Sequence, residues 1–197
     1  LRSLDELGRI PFTTKKELAE DQIRHAPYGR NHTFPETVYI RYHQTSGTSG
    51  RPLKILDTKE SWEWWQNCWV EVLKSAGVDS SDRMFLAFSF GPFIGFWSAY
   101  EAGKAIGAVV IPGGGQSSED RLRSIVEHQA TVLCCTPSYA LHLAEVAEKI
   151  GIDLRKTKVR RIMTAGEPGG SIPSVRSRIE NFWDAKVYDH VGMTEMG

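Results

Sequence analysis

The segment Thr45-Ser46-Gly47-Thr48-Ser49-Gly50-Arg51-Pro52 crowds hydroxyls and glycines together, then adds a cation and a proline. Glycines let a backbone bend sharply and approach an anion closely. Successive N–H groups in such a bend form a nest for phosphate oxygens, and hydroxyls rotate to add hydrogen bonds. A guanidinium such as that of Arg51 can fork onto phosphate oxygens. This is chemistry suited to holding a polyphosphate. Ser/Gly/Thr runs also occur as plain linkers, but here strand-like segments flank the run, Val38–Tyr42 before it and Leu53–Leu56 after it. That places it at a tight turn. The P-loop pattern G-x-x-x-x-G-K-[ST] is absent, which disfavours a P-loop nucleoside triphosphatase.

Other reactive side chains carry less signal. The cysteines are Cys68, Cys134 and Cys135, without metal-ligand spacing, and a reducing cytoplasmic setting is expected. Cys134 and Cys135 lie in the strand-like stretch Thr131–Thr136 and read as small buried hydrophobes, not nucleophiles. His43 precedes the glycine run and suits packing or function equally. His25, His32, His128 and His142 form no pattern.

The elements that must position these residues are legible from periodicity. Thr14-Lys15-Lys16-Glu17 is a capping box opening a short helix. Thr58 to Ala76 is helical, stopped by Gly77, with Trp62, Trp65, Trp69, Val72 and Leu73 on one face, a stripe that reads as core. Beyond it the chain alternates: strand Met84–Phe88, helix Phe96–Ile106, strand Ala108–Ile111, helix Arg121–His128 opened near Ser117 and Ser118, strand Val132–Cys135. A helix then starts at Pro137 and stops by Gly151, followed by strand Arg161–Thr164, helix Pro173–Phe182 and strand Lys186–Tyr188. Alternation with short connections predicts an α/β fold, a parallel-strand-rich sheet flanked by helices. In such sheets ligands sit beyond the carboxyl ends of strands. There the sequence places Ser89–Phe93, Ala165–Gly170 and His190–Glu195.

Lys+Arg and Asp+Glu both number 24 in 197 residues, so the basic footprint of a nucleic-acid partner is missing. No apolar run is long enough to span a bilayer, and the opening residues do not form a signal peptide. The expected division is a partial N-terminal region, 1–57, ending in the glycine-loop hairpin, and an α/β subdomain, 58–197.

Taken together, these segments resemble the adenylate-forming (acyl-CoA synthetase-like) superfamily, and within it phenylacetate–coenzyme A ligases. Thr45–Pro52 looks like the phosphate loop T/S-S-G-T-T-G-K-P. Leu7–Lys15 is similar to the segment ahead of that loop, and Phe88–Gly95 to the aromatic–glycine acyl motif. Thr136-Pro137-Ser138-Tyr139 resembles T-P-S-Y, Ala165–Pro168 resembles G-A-E-P, and Asp189–Glu195 resembles D-x-Y-G-x-[ST]-E. The motifs occur in the family's order across almost the whole chain.

The resemblance implies a role for each matched position. Thr45, Ser46, Gly47, Thr48, Ser49, Gly50 and Arg51 hold the ATP phosphates, with Arg51 where the family usually has Lys. Gly166, Glu167, Pro168, Asp189, His190, Val191 and Gly192 line the adenine pocket. Val191 stands where the family has a stacking Tyr, a role His190 could take in part. Thr194 reaches the α-phosphate, and Glu195 holds Mg²⁺. Phe90, Gly91 and Phe93 shape the acyl pocket, with Tyr139 as a further wall.

The implied activity is ATP-dependent activation of an aryl carboxylic acid to an acyl-adenylate, then transfer to coenzyme A. The implied partners are the acid, ATP and CoA, with neither nucleic acid nor membrane; the resemblance is compatible with a homodimer and leaves the oligomeric state open. The family's ribose aspartate, hinge and C-terminal lysine have no counterpart, so the chain reads as the middle of a ligase's large domain, expected to be inactive alone. A non-catalytic nucleotide-binding module, an adenylating enzyme with another acid or acceptor, and a structural domain with vestigial loops remain alternatives.

Overall fold

The structure is a computed structural model that describes residues 3–45, 47 and 50–194. Ser46, Thr48, Ser49 and Glu195, singled out above, lie outside the described residues. The chain divides into two compact units, Leu1–Lys59 and Glu60–Gly197.

In the first unit, α1 (Lys15–Arg24) begins with the expected capping box: the Thr14 hydroxyl accepts the Glu17 N–H, and the Glu17 carboxylate accepts the Thr14 N–H. Strands β1 (Tyr39–Gln44) and β2 (Lys54–Thr58) form an antiparallel hairpin, with Gln44 opposite Lys54. The Gln22 side chain ties the helix to the hairpin. The Gln22 amide donates to the Lys54 carbonyl at 2.7 Å and accepts the Lys54 N–H at 2.9 Å, as a neighbouring strand would. The glycine run is thus delivered at the tip of a braced hairpin.

The second unit opens with α2 (Lys59–Ser75). A five-stranded parallel sheet follows, β3 (Arg83–Leu86), β4 (Val109–Pro112), β5 (Val132–Cys135), β6 (Arg161–Thr164) and β7 (Lys186–Asp189), in the order β4-β3-β5-β6-β7. The helices between them are α3 (Gly95–Ala105), α4 (Ser118–Glu127), α5 (Pro137–Ile150) and α6 (Pro173–Trp183). The α/β alternation and the parallel sheet are as expected. Pro112 ends β4, an edge strand, where a missing N–H costs the ladder little.

Successive strand residues point to opposite faces, and both faces are covered. Phe85, Leu133, Cys135, Ile162 and Val187 pack with Leu122, Ile125, Leu143, Ile179 and Trp183 of α4, α5 and α6. Met84, Leu86, Val132, Cys134 and Met163 pack with Trp69, Leu73, Phe96, Ala99 and Ala102 of α2 and α3. Strands buried on both sides read as continuous apolar runs, which is why Val132-Leu133-Cys134-Cys135 was recognisable. The tryptophan stripe of α2 is core, with Trp62, Trp65, Trp69 and Leu73 buried.

Helix ends follow the expected chemistry. Thr136 caps α5 through the Tyr139 N–H, Pro137 occupies the first turn, and Gly151 ends the helix in the left-handed region at φ 73°.

Candidate functional site

The carboxyl ends of β6 and β7 lead into a cleft of about 330 Å³ lined by Gly166, Glu167, Pro168, Ser171, Asp189, His190, Val191 and Gly192. Every residue assigned to the adenine pocket is on that wall, although the segments are more than twenty positions apart in sequence. The volume lies within the range of small-molecule sites.

The wall is held from behind. The Thr164 hydroxyl, wholly buried at the end of β6, donates to Asp189 Oδ1 at 2.8 Å and so orients the carboxylate. Gly170 lies against the same pair: a Cβ there would collide with Thr164 Oγ1 and Asp189 Oδ1. Arg176 Nε donates to the Gly170 carbonyl at 2.8 Å and fixes the turn. On the other side, Glu167 Oε1 accepts the Ser138 N–H at 2.7 Å in the first turn of α5, which suits an anion. Gly169 presses on Pro137, with 2.6 Å between an added Cβ and the proline Cβ. Glu167 therefore does structural work as well as lining the cleft.

His190 meets Trp69 of α2 at 4.5 Å between ring centroids, in edge-to-face geometry. Burial lowers its pKa, and the Asp189 carboxylate opposes that only in part. The imidazole is engaged with α2, while Val191 stands 88% exposed at the rim. The position where the family carries a stacking ring presents an isopropyl group. Thr194 is half-buried at the end of the described residues.

The proposed acid-pocket residues separate into distinct neighbourhoods. Phe90 belongs to an aromatic group at the end of β3, with ring centroids 5.0 Å from Phe88, 4.8 Å from Trp97 and 5.9 Å from Tyr100. Trp97 Nε1 donates to the Gly91 carbonyl at 2.9 Å, and Phe93 is half-exposed beside Gly91. Tyr139 packs with the cluster on the opposite face of the sheet, its hydroxyl 2.9 Å from Ser118 Oγ. Phe90, Gly91 and Phe93 belong to the segment after β3, and Tyr139 packs with the cluster on the other face of the sheet.

In the first unit, Thr45 sits at the neck of the glycine run. Its N–H donates to the Leu53 carbonyl at 3.0 Å, and its hydroxyl oxygen accepts the Leu53 N–H at 3.0 Å. The side chain is buried, so it closes the loop's base. Gly47 has φ +72°, and a Cβ there would lie 2.8 Å from Pro52 Cγ, which accounts for the glycine. Gly50 donates to the Gly47 carbonyl at 3.0 Å, and Arg51 is exposed.

His43 is 1% exposed, with Nε2 3.5 Å from Asp57 Oδ2 on the paired strand. Burial, aided by the Arg41 charge, brings its pKa down to about 4, so the ring is neutral near pH 7. The unfolded chain then binds more protons than the folded one between pH 6.5 and 4. Hairpin stability is present above that window and falls as pH drops through it, by at most about 3 kcal/mol. Amide exchange of β1 and β2 followed against pH should show this slope, and His43→Gln should flatten it. An unchanged slope in the variant would remove His43 as the cause.

Burial raises the thiol pKa of Cys134 to about 12, and burial with the neighbouring Cys134 and Glu167 raises that of Cys135 as well, so neither is a nucleophile at neutral pH. Among the described residues no cluster of three or more His, Cys, Asp or Glu could hold a metal, and no helix is long and apolar enough to cross a membrane. Sequence reasoning missed Thr164 and Arg176 and gave Gly170 no role beyond its place in Ala165–Gly170, because their roles arise from contacts across strands and turns. A threonine ending a strand one position before Ala165-Gly166 was the available hint.

The comparisons agree with this geometry. Residues 10–197 match the AMP-binding enzyme family. The phenylacetate-coenzyme A ligase of Pseudomonas putida is 30% identical over 196 residues, covering 100% of this chain and 43% of the relative. That of Escherichia coli (strain K12) is 29% identical, covering 99% of the chain and 43% of the relative. The chain thus spans less than half the length of these relatives. An open conformation of 2-hydroxyisobutyryl-CoA ligase, in complex with 2-HIB-AMP and CoA, superposes with a TM-score of 0.92 at 30% identity, covering 100% of this chain and 43% of that one. The O-succinylbenzoate coenzyme A synthetase of Bacillus subtilis, in complex with ATP and magnesium ion, shares the fold at a TM-score of 0.60 and 24% identity, over 78% of this chain and 30% of that one. With the parallel sheet, the cleft beyond its carboxyl ends and a family match over nearly its whole length, the chain belongs to the AMP-binding enzyme family.

Proposed function

We propose that this chain carries the nucleotide- and acid-binding surface of an AMP-forming carboxylate–CoA ligase acting on an aryl acid of the phenylacetate type. ATP and coenzyme A would be the co-substrates. The observation that carries the reading is the cleft in which Gly166–Pro168 and Asp189–Gly192 meet. The overall reaction is attack of the acid's carboxylate on the α-phosphorus of ATP with departure of pyrophosphate, then capture of the acyl group by the CoA thiol with departure of AMP. Such chemistry depends mainly on positioning and charge stabilisation.

In this reading the Thr164–Asp189 bond fixes an acceptor for the adenine amino group, and the turn at Gly166–Gly170 shapes the pocket's side. The Thr45–Leu53 bonds close the base of the glycine run, and Arg51 beside it would offer its charge to phosphate oxygens. Phe90 and Phe93 offer apolar ring surface to a flat acid. Glu195, outside the described residues, would hold Mg²⁺ together with phosphate oxygens, an ordinary environment for this ion. When bound, the ion supplies shielding of phosphate charge.

Titration calorimetry of the chain with AMP tests the reading. Asp189→Ala should weaken binding about tenfold, the loss of one well-placed hydrogen bond to a desolvated partner. Absence of AMP binding by the unaltered chain at millimolar nucleotide would overturn it. A second reading, a smaller branched hydroxy acid, draws on the 2-hydroxyisobutyryl-CoA ligase likeness. It also draws on the packing of Phe90 among Phe88, Trp97 and Tyr100, which takes up ring surface. Competition between phenylacetate and 2-hydroxyisobutyrate separates the two.

A further inference from the structure

Arg121 falls on α4, where a helix charge ordinarily faces water. Here its residue is 9% exposed. A buried cation is costly unless its donors are met. The Arg121 guanidinium places two of its N–H groups on carbonyls, Nε donating to Gly113 at 2.9 Å and Nη1 to Ala87 at 3.3 Å, while Cζ lies 5.1 Å from the Tyr139 ring centroid.

The positions of those carbonyls matter. Ala87 directly follows β3 and begins the segment that carries Phe88, Phe90 and Phe93. Gly113 directly follows β4, and its neighbour Gly114 packs on Phe90, with 3.1 Å between an added Cβ and Phe90 Cδ2. Arg121 thus holds the roots of both segments that enclose Phe90. The chain leaves β3 toward the α3 face and leaves β4 and β5 toward the opposite face. Sheet hydrogen bonds end where these segments part, and the crevice of such a fold lies at this reversal. Charged donors make stronger bonds than neutral ones, and a planar fork reaches acceptors on separate segments as an ammonium cannot.

We propose that Arg121 is a positioning residue for the carboxylic acid: by clamping the loop roots after β3 and β4 it fixes the Phe90 wall and sets the acid's affinity, without contacting the nucleotide. The acid-affinity part rests on the acid-binding reading of Phe88–Phe93; the clamp itself does not.

The experiment compares the chain with Arg121→Lys and Arg121→Met. Hydrogen exchange is followed over 87–93, 113–116 and the β5 and β6 amides, and dissociation constants are measured for phenylacetate and AMP. Exchange over both loops should accelerate about tenfold in each variant while β5 and β6 keep their protection. The Kd for phenylacetate should rise about tenfold, and that for AMP should stay within about twofold. The clamp is refuted if loop exchange is unchanged in the Lys variant, which keeps the charge and is the milder change. Equal weakening of AMP and phenylacetate, with loss of core protection, assigns Arg121 to general stability and also refutes the proposal. If the unaltered chain binds AMP but not phenylacetate, the aryl-acid reading fails, and the loop-exchange comparison still decides the clamp.

Discussion

Replacing Gly170 by alanine is expected to cost about 1–3 kcal/mol of stability and at least about tenfold in AMP affinity. The added methyl would need the space held by Thr164 Oγ1 and Asp189 Oδ1. Neither can retreat easily. Thr164 is wholly buried, and its hydroxyl would lose its 2.8 Å bond to Asp189, leaving a buried polar group poorly satisfied. The carboxylate of Asp189 would swing away from the cleft. Denaturant titration and AMP calorimetry on the same variant report both effects. Thr164→Val is the companion: it removes the hydroxyl but adds no atom at Gly170, so it should weaken AMP binding with a smaller loss of stability. Ser171→Ala, at the exposed cleft rim, should change neither by much. A Gly170→Ala chain with unaltered AMP affinity would mean that the Thr164–Asp189 bond has no part in nucleotide binding.

Trp183→Ala should produce the largest loss of stability, about 3–5 kcal/mol, a large fraction of what a domain of this size possesses. Trp183 is the last residue of α6 and wholly buried, and its Nε1 donates to the Ala140 carbonyl of α5 at 3.1 Å. Removing the indole would open a cavity between α5 and α6 and take from the Ala140 carbonyl the bond it accepts from the indole N–H. The effect should reach the site, because the first turn of α5 also donates the Ser138 N–H to Glu167. Phe182, next in sequence and 45% exposed, provides the contrast: its replacement by alanine should stay within about 0.5 kcal/mol. Similar urea midpoints for the two variants would contradict the packing assigned to Trp183.

These side chains show what a linear reading can reach. Phe182 and Trp183 are adjacent aromatics, and the sequence pattern ends the helix at Phe182, one residue short of where the structure ends it. Only packing of α6 on α5 selects Trp183 as core. Arg121 was legible as a helix residue but not as a buried one, because its partners, Ala87 and Gly113, belong to other turns. Phe90 and Tyr139 follow neighbouring strands whose helices depart to opposite faces, an arrangement that no motif spells out. Thr45 looked like one hydroxyl among several in the glycine run, and pairing of β1 with β2 made it the closure of the loop.

The sequence by itself determined the local rules: the capping box at Thr14, the starts and stops at Pro137, Gly77 and Gly151, the buried strand at Val132–Cys135, and the α/β alternation. These follow from backbone conformations and side-chain periods that act over a few residues. It also determined the family, since the glycine run and the turns after β5, β6 and β7 keep most of their spelling, Arg51 and Val191 apart. Tertiary structure alone decided the strand order, the face each helix covers, and the pairings Thr164–Asp189, Glu167–Ser138 and Arg121 with the loop roots. Those depend on which distant segments the crossovers bring to one rim, and no period along the chain encodes that distance.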